Sequence, residues 1–246
     1  TYSENFDSLI AASTPFAAPT GGPALIPSSP SIGWTGARVG GTSTSTMPWT
    51  EDFGNLNTGG LFSYGAGGSA ERALGSVASG TNVPGYGVEL VNKTGMLITK
   101  IVISFTQENW RNSTQTVNTV AASWSRSSLG TTSSNFLTAT SGFTSDTNLN
   151  LVGPAFIASN NGTLGPIDGN LAANQAFRTT TILFSTPIAQ NESFFVRFHD
   201  FNDAGNDAGL AIDDFRAEVE VVPEPATLAA LGLGFSTLIA RRRRKA

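Results

Sequence analysis

Residues 97–106 read Leu-Ile-Thr-Lys-Ile-Val-Ile-Ser-Phe-Thr. In an extended chain Leu97, Ile101, Ile103 and Phe105 share one side, while Lys100, Ser104 and Thr106 share the other. That alternation predicts a strand with one buried and one wet face. Similar apolar runs follow at Val117–Trp124, Thr180–Phe184, Ser193–Phe201 and Leu210–Val221, and the stretch Gly162–Asn174 reads as a long loop. The expected fold is therefore all-β, an antiparallel jelly-roll β-sandwich over residues 1–222. Pro15, Pro19, Pro23, Pro27 and Pro30 predict an extended lead-in laid over the sandwich.

Composition agrees with this reading. Of 246 residues 39% are hydrophobic, enough for a sizeable core, whereas only 13% are charged, so the side chains that favour solvated helices are scarce. The 27 glycines and 12 prolines supply turn chemistry between short strands. There is no cysteine, which excludes disulfides and thiolate metal sites. The net charge is −4, from 14 basic and 18 acidic residues, but Arg241, Arg242, Arg243, Arg244 and Lys245 all lie at the end of the chain. Setting these and Glu224 aside leaves 9 basic and 17 acidic residues in 1–222, a charge of −8. Such a domain is ill suited to nucleic acid, which rewards clustered Lys and Arg. The chain begins at Thr1 with no charged-then-apolar signal segment before the first strand-like run, as removal of a signal peptide, or a chosen boundary, would leave it.

Residues 226–240, Ala-Thr-Leu-Ala-Ala-Leu-Gly-Leu-Gly-Phe-Ser-Thr-Leu-Ile-Ala, carry no charge and lie between Pro223-Glu224-Pro225 and the basic cluster 241–245. They predict a single hydrophobic helix, ~22 Å long at ~1.5 Å per residue. That is short of a ~30 Å bilayer core, but flanking arginines can snorkel across the difference. The basic cluster belongs on the cytoplasmic side, which puts residues 1–222 outside the inner membrane. A buried amphipathic core helix is the alternative. The ordered triad of Pro-Glu-Pro, apolar helix and terminal arginines resembles the PEP-CTERM sorting signal of Gram-negative bacteria. The resemblance implies that Pro223, Glu224 and Pro225 are read by an exosortase, a membrane transpeptidase-like protease. It also implies an inner-membrane-anchored precursor and a mature protein at the cell surface or in the biofilm and exopolysaccharide matrix. A chance tripeptide before a plain anchor is the competing reading.

The last strand contains a misplaced charge. Strict alternation puts Asp213 with Ala211, Phe215, Ala217, Val219 and Val221, facing an apolar layer. A buried carboxylate needs a partner or a proton, so Asp213 is expected in a buried charge network with Arg72, Glu108, Arg111 or Arg197, or on a metal ion. Phe62-Ser63-Tyr64-Gly65, Glu71-Arg72-Ala73-Leu74-Gly75-Ser76, Glu108-Asn109-Trp110-Arg111, Ile167-Asp168-Gly169-Asn170 and Leu210–Phe215 resemble an exported bacterial β-sandwich found before sorting tails. The closing Ala211-Ile212-Asp213-Asp214-Phe215 also resembles the last strand of MAM-type jelly rolls in the concanavalin-like lectin group. These motifs imply a fold and assign no ligand.

Two further sites are candidates for chemistry. Asp200, Asn202, Asp203 and Asp207 crowd oxygen donors into a Gly-containing turn, the hard-donor set of Ca²⁺. It is not an EF-hand, since Ala204 and Ala211 occupy ligand positions; an Asx-rich turn capping its own backbone is the alternative. His199 is the single histidine and reads as structural. A glycosidase would need two facing carboxylates, which Glu108 with Asp213 or Asp214 could supply. Four Asn-x-Ser/Thr triplets, at Asn92, Asn112, Asn161 and Asn191, are expected by chance in so Asn- and Ser-rich a chain. Trp34, Trp49, Trp110 and Trp124 are expected in the core, with sugar stacking as the other use. The overall expectation is a non-enzymatic surface or matrix protein acting in adhesion, matrix structure or polysaccharide binding. A glycoside-active enzyme on a lectin-like fold and a self-assembling surface-layer or filament subunit are the alternatives.

Overall fold

The computed structural model describes residues 1–9, 24–25, 34–45, 49–113, 117–153 and 164–223. The expected C-terminal helix, Glu224, Pro225, the basic cluster Arg241–Lys245, the proline-rich lead-in and Asn161 lie outside the described residues. Among the described residues no helix is long and apolar enough to cross a membrane.

Among the described residues fifteen strands run in chain order. They are β1 (Tyr2–Glu4), β2 (Ala24–Leu25), β3 (Trp34–Gly40), β4 (Trp49–Asp52), β5 (Gly60–Tyr64), β6 (Ala73–Val77), β7 (Val83–Val91), β8 (Leu97–Asn112), β9 (Thr119–Arg126), β10 (Thr144–Ser145), β11 (Leu151–Val152), β12 (Gly165–Pro166), β13 (Gln175–Ile188), β14 (Ser193–Asp200) and β15 (Gly209–Val222). One sheet runs β12-β8-β15-β6-β5-β4, with β13 on the outer edge of β8 and β1 beside β15. The other runs β10-β9-β14-β7-β3-β2, with β11 on β9. Among the described residues every pairing is antiparallel except β4 with β5.

The inner faces meet in one apolar layer. Leu61, Leu74, Ile101, Ile103, Phe105, Ile212 and Phe215 of the first sheet pack on Trp34, Tyr86, Val88, Val120, Phe194, Val196 and Phe198 of the second. Edge-on aromatic pairs join the layers, Trp34 to Phe215 at 5.1 Å and Phe105 to Phe198 at 5.6 Å. The molecule is thus an all-β sandwich. Trp34 is core, as expected; Trp124 is partly buried against the same layer, and the side chain of Trp49 lies outside the described set.

Two regions depart from the sequence reading. In β8 the inward series starts at Ile98 rather than Leu97, because the register against β15 and β13 slips at that end. In β15 the pairing with β8 jumps from Asp213↔Thr106 to Arg216↔Ser104, and Asp214 takes a left-handed φ of 51°. This bulge inserts a residue and reverses the facing of everything beyond it. Leu210 and Ile212 face the inner layer before it, and Phe215 and Ala217 face it afterwards. Asp213 therefore lies with Ala211 on the outer face of the first sheet and does not enter the inter-sheet layer.

Candidate functional site

The outer face of the first sheet carries a second buried cluster of Phe62, Tyr64, Ala73, Val77, Trp110 and Ala211, with Leu56 against it. The Tyr64 ring lies across the neighbouring strands and stacks on Trp110, with centroids 5.9 Å apart and planes 4° from parallel. Two glycines make room for it. A Cβ on Gly75 would fall 2.8 Å from Tyr64 Cδ2, and one on Gly209 would fall 2.7 Å from its hydroxyl. From the other side Gly169 closes on the indole, where a Cβ would stand 2.4 Å from Trp110 Nε1.

Beside this aromatic stack three carboxylates converge. Glu71 comes from the loop before β6, Glu108 from β8 and Asp213 from the bulge of β15, and one oxygen of each lies within 4.8 Å of the others. Trp110 Nε1 donates to Glu108 Oε2 at 2.8 Å, and Gln175 Nε2 donates to Glu108 Oε1 at 3.0 Å. Asn170 Nδ2 donates to Glu71 Oε2 at 2.5 Å. Asp213 Oδ1 accepts from the backbone N–H of Asp214 at 2.7 Å. Glu108 is 1% exposed and Asp213 9%. Burial, reinforced by the neighbouring carboxylates Asp214, Glu108 and Glu71, pushes Asp213 up to about 8. Burial likewise pushes Glu108 up to about 7, against the opposing hydrogen bonds from Trp110 and Gln175. Glu71 is raised, again chiefly by burial.

Adjoining the stack is an open pocket of about 350 Å³ lined by Phe53, Ala66, Gly67, Trp110, Pro166, Ile167 and Asp168. Phe53 is half exposed there. Its loop is tied down by Asp52, whose carboxylate accepts from the backbone N–H groups of Gly54, Asn55 and Leu56.

The expected network is only partly assembled. Glu108 and Asp213 meet, but they meet Glu71, which the sequence reading did not single out, and none of the three arginines. Arg72 pairs with Glu51. Arg111 donates to the carbonyls of Gly54 and Asn55. Arg197 belongs to the second sheet, where it donates to Ser123 Oγ and to the carbonyls of Phe136 and Ala139 and sits 3.4 Å from the Phe143 ring centroid. It anchors the loop after β9 and cannot reach Asp213. His199 has its Nε2 2.7 Å from the Leu137 carbonyl in the same region, and burial with Arg197 nearby lowers it to about 4.

The four residues of the acidic turn do not converge on one point. Asp200 enters the inter-sheet layer and accepts from Ser76 Oγ at 2.7 Å, and burial raises it to about 8. Asp203 and Asp207 meet over Asn118, whose Nδ2 lies 2.7 Å from Asp203 Oδ2 and 3.5 Å from Asp207 Oδ1. Asn202 donates to the Asp203 carbonyl and is exposed. Of the glycosylation-like asparagines, Asn92 is buried and its Nδ2 donates to the carbonyls of Met96, Ile188 and Ala189, so it is a structural tie.

Comparison with curated proteins finds no match. Among solved structures the chain is similar to the K2 cleaved adhesin domain of Lys-gingipain, with 16% identity, 89% of this chain and 98% of that one covered, and a TM-score of 0.38. It is also similar to a non-crystalline-cellulose-specific carbohydrate-binding module, CBM28, with 12% identity, 76% and 87% coverage and a TM-score of 0.34. A third likeness is to the CBM22-1 xylan-binding domain of Paenibacillus barcinonensis Xyn10C, with 8% identity, 76% and 94% coverage and a TM-score of 0.32. At these scores no ligand carries across. A further comparison concerns the end of the chain: residues 221–245 match the PEP-CTERM protein-sorting motif, which implies an exported protein anchored at the membrane before processing.

Proposed function

We propose that this protein is an exosortase substrate whose acidic sandwich acts, without catalysis, as a polysaccharide-binding module of the cell surface or extracellular matrix of a Gram-negative bacterium. The tail supports the address. The observation that carries the binding role is the open pocket on the outer face of the first sheet, where half-exposed Phe53 stands beside Asp168 over a wall backed by the buried Trp110. An aromatic surface with a hydrogen-bond acceptor at its rim suits a sugar ring, whose C–H face is apolar and whose hydroxyls donate. Phe53→Ala should weaken binding about tenfold, the worth of one aromatic contact. Affinity electrophoresis in gels containing the host's own exopolysaccharide checks this, and identical migration of the two proteins with and without polysaccharide would remove the reading.

A glycosidase is disfavoured by access. Glu108 and Asp213 are close enough to act as a pair, but at 1% and 9% exposure, beneath Gln175 and beside Trp110, they offer no surface to a sugar. A second reading, association between copies, is favoured by β13. Among the described residues no strand pairs with its outer edge, and it exposes Phe177 by 71% and Leu183 by 74%.

A further inference from the structure

We infer that Glu71, Glu108 and Asp213 bind a divalent cation of the calcium class on the outer face of the first sheet. Two ligand oxygens on a shared Ca²⁺ ion, each about 2.4 Å from it, stand no more than about 4.8 Å apart, and that is the limit within which the three carboxylates lie. Among the described residues no other group of three carboxylate or histidine side chains closes to this distance.

Proximity of acids alone is not a site, and the second observation concerns their unused lone pairs. Glu71 Oε1 is sealed from solvent and accepts no hydrogen bond. Asp213 is buried to nine-tenths, and among the described residues the amide of its own neighbour Asp214 is the one hydrogen-bond donor to it. A buried acceptor left without a donor is costly, and one oxygen of each of the three carboxylates, from separate elements, converges here. Among the described residues no salt bridge reaches the three carboxylates. Arg72 lies near enough to act on Glu71, but its Nη2 pairs with Glu51 and its Nη1 is buried without an acceptor; Arg111 donates to the Gly54 and Asn55 carbonyls, and Arg178 to Gln107. The carboxylates are also held in place: both oxygens of Glu108 accept, from Trp110 and Gln175, and Glu71 Oε2 accepts from Asn170, as the supporting shell of an ion site does. An all-carboxylate set without histidine or thiolate suits a hard cation over zinc or copper. The inference stands whether or not the neighbouring pocket takes a sugar.

The test uses the full chain stripped of metal with a chelator. Trp110 is hydrogen-bonded to a ligand carboxylate, so Tb³⁺ in the site should emit on tryptophan excitation, saturate at one ion per chain and be displaced by Ca²⁺. CaCl₂ at about a hundredfold over Kd should raise the melting temperature by about 5–10 °C relative to the chelated protein. Asp213→Asn and Glu71→Gln should abolish both signals, while melting in chelator no lower than wild type, because each removes a charge from a crowded site. Asp207→Asn, in the acidic turn, should keep both. Glu71 lies on a loop, so Glu71→Gln carries the test if Asp213→Asn fails to fold. Identical wild-type melting in Ca²⁺ and chelator without tryptophan-excited emission, or signals that survive Glu71→Gln, would overturn the site.

Discussion

Asp200 illustrates how much one side chain can bias this fold against neutral pH. Its carboxyl faces Ser76 between the sheets, with Asp207 and Asp203 as further negative neighbours, and burial holds its proton up to about pH 8. The unfolded chain releases that proton near pH 4. Since the folded form then binds more protons, its contribution is intact below that point and lost progressively as pH rises towards 8. Asp200→Asn keeps an acceptor for Ser76 and removes the ionisation. It should be about 2–4 kcal/mol more stable than wild type at pH 7 and indistinguishable at pH 3.5, as read by urea unfolding at the two pH values. Sequence alone exposed Asp213 as a charge in the wrong company, yet misjudged where it points. Alternation assumes an unbroken pleat, and nothing in Asp213-Asp214 announces the left-handed Asp214 that breaks it.

Elements show the same division between what patterning reveals and what it hides. Strands with a wetter face, β8, β13 and β15, were legible from their alternation, and β14, although buried almost throughout, from its apolar run. Two other strands buried on both faces were not. All five residues of β5 and all five of β6 are buried, so no polar alternation remains to be read. In β7 the glycines that suggest a turn are there for packing, since a Cβ on Gly87 would stand 2.2 Å from the Val196 carbonyl. Between elements, Arg126 at the end of β9 grips the β13–β14 hairpin. It holds Glu192 through two bonds of 2.8 Å and donates to the carbonyls of Thr186 and Pro187. Against the upward push of burial, hydrogen bonds from Arg126, Ser128 and the Ala189 amide, with the charge of Arg126, bring Glu192 down to about 2. Arg126→Ala should cost about 1–3 kcal/mol by leaving two carbonyls unmatched and the half-buried Glu192 carboxylate without its cation, held by the Ala189 amide. Arg126→Lys should recover part of it, as one ammonium cannot replace the fork; denaturant midpoints of the three proteins decide this. The open edge of β13 gives a further expectation. If copies pair there, Leu183→Lys should abolish any rise in apparent mass with concentration in sedimentation velocity, and a wild type that stays monomeric at all concentrations would dismiss edge pairing.

At the scale of the molecule, the address was readable and the ligand was not, for a physical reason. A sorting motif is linear, so Pro223-Glu224-Pro225, the apolar run and the arginines identify it without any folding. The pocket is assembled from Phe53, Trp110 and Asp168, whose common neighbourhood exists only after the sheets form. If the tail is processed as proposed, intact mass of the surface-released protein should lack residues 226–246, and recovery of the whole chain there would refute cleavage.

The path from tail to sandwich has a mechanical consequence. β15 ends at Val222, one residue before the sorting motif's Pro-Glu-Pro, and along its fourteen residues it is bonded to β8 on one side and to β6 and β1 on the other. While the chain is tethered, tension from the envelope enters along the axis of an interior strand. The ladder bonds lie across that axis and must shear together rather than peel one by one. If the domain binds polysaccharide as proposed, the drag on it is borne by the strand that also presents Asp213.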